Sequence, residues 1–146
     1  MSSEDDPSTA EPFAATYRSE TAAIHEARQD FAAWLGSHAV VASLQAEMQV
    51  VLSELLANAV AASQDPEDSM GVRACLEGEL TLEVTNPVGA VFEMSNTWDY
   101  DDPLRPGGRG LIIVESLVDD ITIAPPDGTQ PLKVICRRAL PDVAGR

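Results

Sequence analysis

Two polar residues stand out because the run around them is apolar. In Glu54-Leu55-Leu56-Ala57-Asn58 a carboxylate and an amide lie four residues apart. On a helix that spacing puts both on one face, about one turn apart. An amide oxygen suits Mg²⁺, a hard cation that prefers oxygen ligands. A carboxylate beside it can take a proton from an attacking hydroxyl. The same spacing also fits two side chains that only meet water at the edge of an apolar stripe. A second group is Gly107-Gly108-Arg109-Gly110-Leu111. Glycines let a ligand approach the backbone with no Cβ in the way. If they open a helix, unpaired N–H groups and the dipole there favour an anion, which makes a phosphate cradle. The plainer reading is a tight turn or hinge. The third group is Leu82-Glu83-Val84-Thr85-Asn86-Pro87-Val88-Gly89, in which a strand ends on a polar side chain and bends. Asn-Pro alone is enough to start an ordinary turn.

These groups need elements to position them. Apolar residues at Ile24, Ala27, Phe31, Trp34 and Leu35 recur at three and four, predicting an amphipathic helix from about Glu20 to Gly36. Leu44, Met48, Val51, Leu52, Leu55, Leu56, Ala59 and Val60 predict a second from about Ser43 to Ala62, stopped by Asp65-Pro66. Phe13–Tyr17 reads as a short edge strand. Gly71–Leu76 and Leu80–Thr85 read as strands joined by a turn at Glu77-Gly78-Glu79. Residues 87–106 carry no period, and a long stretch of that kind is often functional. The glycine group then opens a helix expected over Leu111–Val118. Ile121–Ala124 and Leu132–Arg138 close the chain as two strands around Pro125-Pro126-Asp127-Gly128. Hairpin-linked strands with separate helices predict an α+β fold, a two-layer sandwich with helices on one face of a mostly antiparallel sheet.

Composition narrows the partners. The 146 residues suit one domain, expected over 12–140, between an unstructured acidic tail over 1–11 and a short tail over 141–146. The formal net charge is −15, which disfavours nucleic acid and anionic membrane surfaces. No apolar run approaches the roughly 20 residues that span a bilayer. The start lacks the basic and apolar segments of a secretory signal, so a cytoplasmic location is expected. Cys75 and Cys136 sit in apolar runs and are expected as small buried thiols. His25 and His38 lack neighbours at metal-ligand spacing.

Taken in order, a Glu-x-x-x-Asn helix, a strand ending in a polar residue, a lid-like loop and Gly-x-Gly on a helix resemble the ATPase superfamily of gyrase, MutL and sensor histidine kinases. The short length, the Phe13…Ala27-Arg28 segment and Gly108-Arg109-Gly110-Leu111 look most like bacterial anti-sigma-factor serine/threonine kinases. The resemblance spans roughly residues 13–138 and implies the Bergerat ATP-binding fold. It implies that Asn58 coordinates Mg²⁺ and that Glu54 is the catalytic carboxylate. It places Asn86 where the family has an Asp that accepts from the adenine amino group. Gly108 and Gly110 would face the phosphates and Thr129 the adenine. Gly89, Arg109 and Leu111 complete the implied ATP contacts, and Arg105 also lies where a basic group meets the γ-phosphate.

One departure matters. The family's Asp-x-Gly-x-Gly stands here as Asn86-Pro87-Val88-Gly89-Ala90. A neutral amide accepts a weaker hydrogen bond than a carboxylate, a loss of ~1–2 kcal/mol, or about ten- to thirtyfold in affinity. Two functions therefore stay open. One is a Mg·ATP-dependent protein kinase that phosphorylates a small anti-sigma-antagonist-type protein, binds a sigma factor and works as a homodimer. The other is a non-catalytic Bergerat-fold regulator with a degenerate nucleotide site, whose partner anchors would be Met94, Trp98 and Tyr100. His25-Glu26-Ala27-Arg28 imitates a phospho-accepting histidine box, but Asp30 occupies the place of its Pro, and too little chain precedes Glu54 for the helical hairpin.

Overall fold

The structure is a computed structural model that describes residues 11–63, 67–86, 106–124 and 132–140, with the backbone alone at 62 and 106–111. Among the described residues, five strands and three helices run in the order β1 (Phe13–Arg18), α1 (Thr21–Ser37), α2 (Ala42–Ala62), β2 (Ser69–Leu76), β3 (Glu79–Thr85), α3 (Pro106–Leu117), β4 (Asp120–Ala124) and β5 (Lys133–Ala139). The strands form one sheet in the order β1-β2-β3-β5-β4, and every pairing is antiparallel. The expected α+β fold is the one found.

Alternation in the strands decides which face is covered. Met70, Val72 and Ala74 of β2, Leu80, Leu82 and Val84 of β3, and Val134 and Cys136 of β5 are buried. The register sets Val72 opposite Val84 and Leu82 opposite Cys136, so these residues form continuous apolar rows on one face. The other face carries Arg73, Thr81, Glu83, Thr85, Lys133 and Arg137. There Lys133 pairs with Glu83 at 3.8 Å, and Arg137 pairs with Asp120 at 3.1 Å. The β2–β3 turn needs Gly78, whose φ of 81° few other residues adopt cheaply.

The helices supply the second layer. Phe31 and Leu35 of α1 are fully buried, as are Met48, Leu52 and Leu56 of α2. Each such side chain contributes about 1.5–3 kcal/mol through removal from water. α1 is fastened to the edge strand β1. Phe13 packs against Phe31 and Trp34 with ring centroids 5.8 and 6.0 Å apart. The Tyr17 hydroxyl donates to Asp30 Oδ2 at 2.8 Å. α2 is built from strong helix formers such as Ala, Leu, Gln, Glu and Met and runs for 21 residues through the middle of the layer.

Two expectations need correcting. The glycines do not precede their helix: α3 begins at Pro106, so Gly107, Gly108 and Gly110 lie inside its first turns. Proline is favoured at a first helical position, because its missing N–H is unpaired there anyway. Cys75 is only half-buried and belongs to the polar face, unlike the buried Cys136; the alternation that buries Ala74 turns its neighbour outward.

Candidate functional site

Glu54 and Asn58 sit on α2 and are each half-buried. Glu47 lies on the same side: at about 100° per residue the three fall within about 40° of one another around the axis. Leu55, Leu56 and Ala59 are buried beside them, so the polar strip runs along the margin of the apolar stripe. Glu47 is accounted for, because its Oε1 lies 2.6 Å from Arg138 Nη1. Among the described residues, the Glu54 and Asn58 side chains make no hydrogen bond or ion pair.

Arg138 also fixes how α3 lies on α2. The same Nη1 donates to the Leu117 carbonyl at 2.6 Å. The C-terminus of α3 is therefore level with Glu47. A parallel course would leave α3 beside only the first six residues of α2, Ala42–Glu47. Yet α2 packs more extensively on α3 than on any other element, so the two helices run antiparallel. Eleven residues separate Glu47 from Asn58, and eleven separate Leu117 from Pro106. Both offsets amount to ~16 Å along a helix. The glycine-bearing first turn of α3 thus falls level with Asn58.

Asn86 belongs to the same end. It follows β3, and its N–H donates to the Leu132 carbonyl at 2.8 Å, which continues the ladder to β5. It shares the parity of Leu80, Leu82 and Val84 and so faces the helices, with only 5% of its surface exposed. Leu80, six residues earlier, is opposite Arg138, which puts Asn86 ~20 Å along the strand from the Arg138 end. Thr85 is opposite Gly71, near the start of β2, to which the C-terminus of α2 leads. The topology therefore gathers the Asn58 end of α2, the start of α3 and Asn86 at one end of the two layers. Among the described residues no side chain bonds the Asn86 amide, and the water-excluded side-chain atoms that lack a partner are Ser19 Oγ and Gln49 Oε1.

The chain belongs to the histidine kinase-like ATPase domain family. Its family model matches residues 17–131, which take in every motif from α1 to the segment before β5. A solved structure of the RsbU and RsbW domains of Rv1364c from Mycobacterium tuberculosis has the same fold, with a TM-score of 0.63 at 18% identity. The match covers 90% of this chain and 33% of that one, so the chain spans about a third of its length. No curated protein matches.

The remaining sequence-predicted positions divide simply. Gly108, Arg109, Gly110 and Leu111 are in α3, where the backbone is described. Gly89, Arg105 and Thr129 lie outside the described residues, as do Met94, Trp98 and Tyr100. His25 is exposed on α1. Among the described residues there is no cluster of three or more His, Cys, Asp or Glu that could hold a metal, and no helix is long and apolar enough to cross a membrane. A hollow of about 300 Å³ around Gly71 lies on the polar face of the sheet and contains none of the candidate residues. Arg138 and its link to Glu47 escaped the sequence reading. The available signal was the alternation of β5, which puts one arginine of the Arg137-Arg138 pair on each face.

Proposed function

We propose that this end of the molecule binds Mg·ATP, and that the protein is an anti-sigma-factor-like serine/threonine kinase acting on a small antagonist protein. The observation that carries the reading is Asn86. The residue is only 5% exposed on the helix-facing side, and it stands where a strand end, the Asn58 end of α2 and the first turn of α3 meet. The residues fit the ligand. Asn86 offers an amide oxygen to the adenine amino group. Asn58 offers another to the cation, in keeping with its taste for oxygen. The first turn of α3 presents backbone N–H groups and the positive end of a dipole, with glycines that spare room. Bound Mg²⁺ would supply charge neutralisation for phosphoryl transfer. Glu54 would take or steer the proton of the attacking serine or threonine hydroxyl. The family resemblance extends the reading to a sigma factor as second partner, a homodimer and a cytoplasmic setting.

A second reading has one specific observation in its favour. Asn86 is neutral where the family has a carboxylate, and Val88 and Ala90 replace glycines. On that reading the fold persists as a non-catalytic protein-binding regulator.

Calorimetric titration of Mg·ATP and Mg·ADP separates the two. Micromolar binding that Asn58→Ala weakens supports a working site and justifies a kinase assay on candidate antagonists. A folded protein that gives no heat up to millimolar nucleotide sinks the kinase reading and leaves the binding module.

A further inference from the structure

We propose that Arg138 is a positioning residue, which sets the axial register between α3 and α2 and so the height at which the glycine-bearing turn meets Asn58. The part of this inference that concerns ligand affinity rests on the nucleotide reading above. Arg138 reaches the helix layer from the sheet. It shares the parity of Val134 and Cys136, yet its side chain is only 27% exposed. One nitrogen donates to Leu117 O and forms an ion pair with Glu47 Oε1, each at 2.6 Å. A guanidinium is suited to this, because its donors are held in a rigid plane and it stays charged. Its charge also opposes the negative end of the α3 dipole.

Apolar packing alone would hold α3 less strictly. Among the described side chains of α3, Val114 is buried and Leu117 half-buried, as is Val118 just beyond the helix. Such contacts are non-directional, so they resist separation better than sliding. The turn after α3 is tied to β5 independently, since Asp119 N–H donates to Arg137 O at 2.8 Å and Ala139 N–H donates to Asp119 Oδ2 at 2.6 Å. Those bonds fix the turn to the sheet and do not reach α2. Arg138 reaches all three elements. Because the helices are antiparallel with equal offsets, a slide at Leu117 is transmitted along the rigid helix to the turn beside Asn58.

The test uses the full chain, with Arg138→Met and Glu47→Gln. Calorimetry compares Mg·ADP with adenosine, which lacks the phosphates that the α3 turn would meet. Amide hydrogen exchange compares α3 with α1. Arg138→Met is expected to weaken Mg·ADP about tenfold, equivalent to ~1.4 kcal/mol, to change adenosine less than about twofold, and to speed exchange in α3 while α1 keeps its protection. Glu47→Gln should act in the same direction more weakly, and it replaces the methionine variant if that one does not fold. Equal weakening of both ligands overturns the proposal, as does unchanged Mg·ADP affinity. If the wild-type protein binds neither ligand, the nucleotide reading has failed and exchange alone decides: unchanged protection of α3 overturns the positioning role, and selective loss supports it.

Discussion

Arg138 and Asn86 both interrupt the apolar rows on the helix-facing side of the sheet, and they do so at opposite ends. Arg138 closes β5, and Asn86 follows β3. The first is charged and would be the costlier to bury, yet it is engaged by a helix carbonyl and a carboxylate. The second is neutral, 95% buried, and has no partner among the described residues. Both depart from the pattern that folds the sheet, but for different reasons. A departure that the protein satisfies internally reads as architecture. One that meets no polar partner among the described residues is open to a ligand. On that contrast the Arg138 end is the fixed end of the two layers, and the Asn86 end is the one proposed to hold the nucleotide.

Opposite signs of stability change follow, and they offer the most direct way to break the comparison. Arg138→Met should destabilise the protein by about 2–3 kcal/mol, since it removes a charge-assisted hydrogen bond and an ion pair and leaves the half-buried Glu47 carboxylate alone. Urea unfolding monitored by circular dichroism measures it. Asn86→Leu should stabilise by about 1 kcal/mol, because it puts an apolar group in place of an amide among apolar neighbours. The same variant should abolish the nucleotide heat. A destabilised Asn86→Leu would show that the amide has a structural partner, and the contrast would collapse.

The third expectation concerns pH and places alkaline sensitivity in the core rather than at either end. Burial pushes the Cys136 thiol up to about 12, with the nearby Asp120 charge adding to it. Burial also raises Tyr17, helped by its hydrogen bond to Asp30 and by the charges of Asp30 and Glu26. Each group favours its neutral form in the fold, so its contribution is complete below the unfolded value. That contribution is lost as pH rises from about 9, the unfolded thiol range, towards 12. Stability measured from pH 8 to 11 should therefore fall. Tyr17→Phe should remove part of the slope above pH 10 and cost about 1 kcal/mol at neutral pH for the lost bond. A slope unchanged in both Tyr17→Phe and Cys136→Ala would assign the sensitivity elsewhere.

How much of this was legible beforehand depended on whether the signal was local. The periods of α1 and α2 and the alternation of β2 and β3 are carried by consecutive residues, so those elements emerged within one or two residues of their observed limits. Glu54 and Asn58 emerged for the same reason, as a polar pair inside an apolar run. The start of α3 did not, because three glycines lower helix propensity and disguise a turn that Pro106 favours and packing on α2 supports. Cys75 looked apolar by its neighbours, and only the register shows that it faces outward. The Arg138–Glu47–Leu117 junction joins residues from three elements far apart in the chain, and no spacing rule announces it. The burial of Asn86 was equally hidden, since Asn-Pro reads as a turn from sequence alone.

The smallest expected effect guards the comparison against a trivial explanation. The Asn86 end is not short of polar contacts in general: Arg18 pairs with Glu67 at 3.6 Å where β1 meets the start of β2. If any charge at that end mattered to the fold, this pair should. It is solvent-facing, however, with side chains 62% and 72% exposed, and pairs of that kind contribute about 0–1 kcal/mol because water screens them and two long side chains must be held still. Arg18→Ala should therefore shift stability by less than about 0.5 kcal/mol in urea unfolding and leave Mg·ADP affinity within about twofold, near the limit of calorimetric resolution. A loss comparable to that of Arg138→Met would mean that the two ends are held alike, and that the unpartnered Asn86 amide is an accident of one side chain rather than the mark of a site.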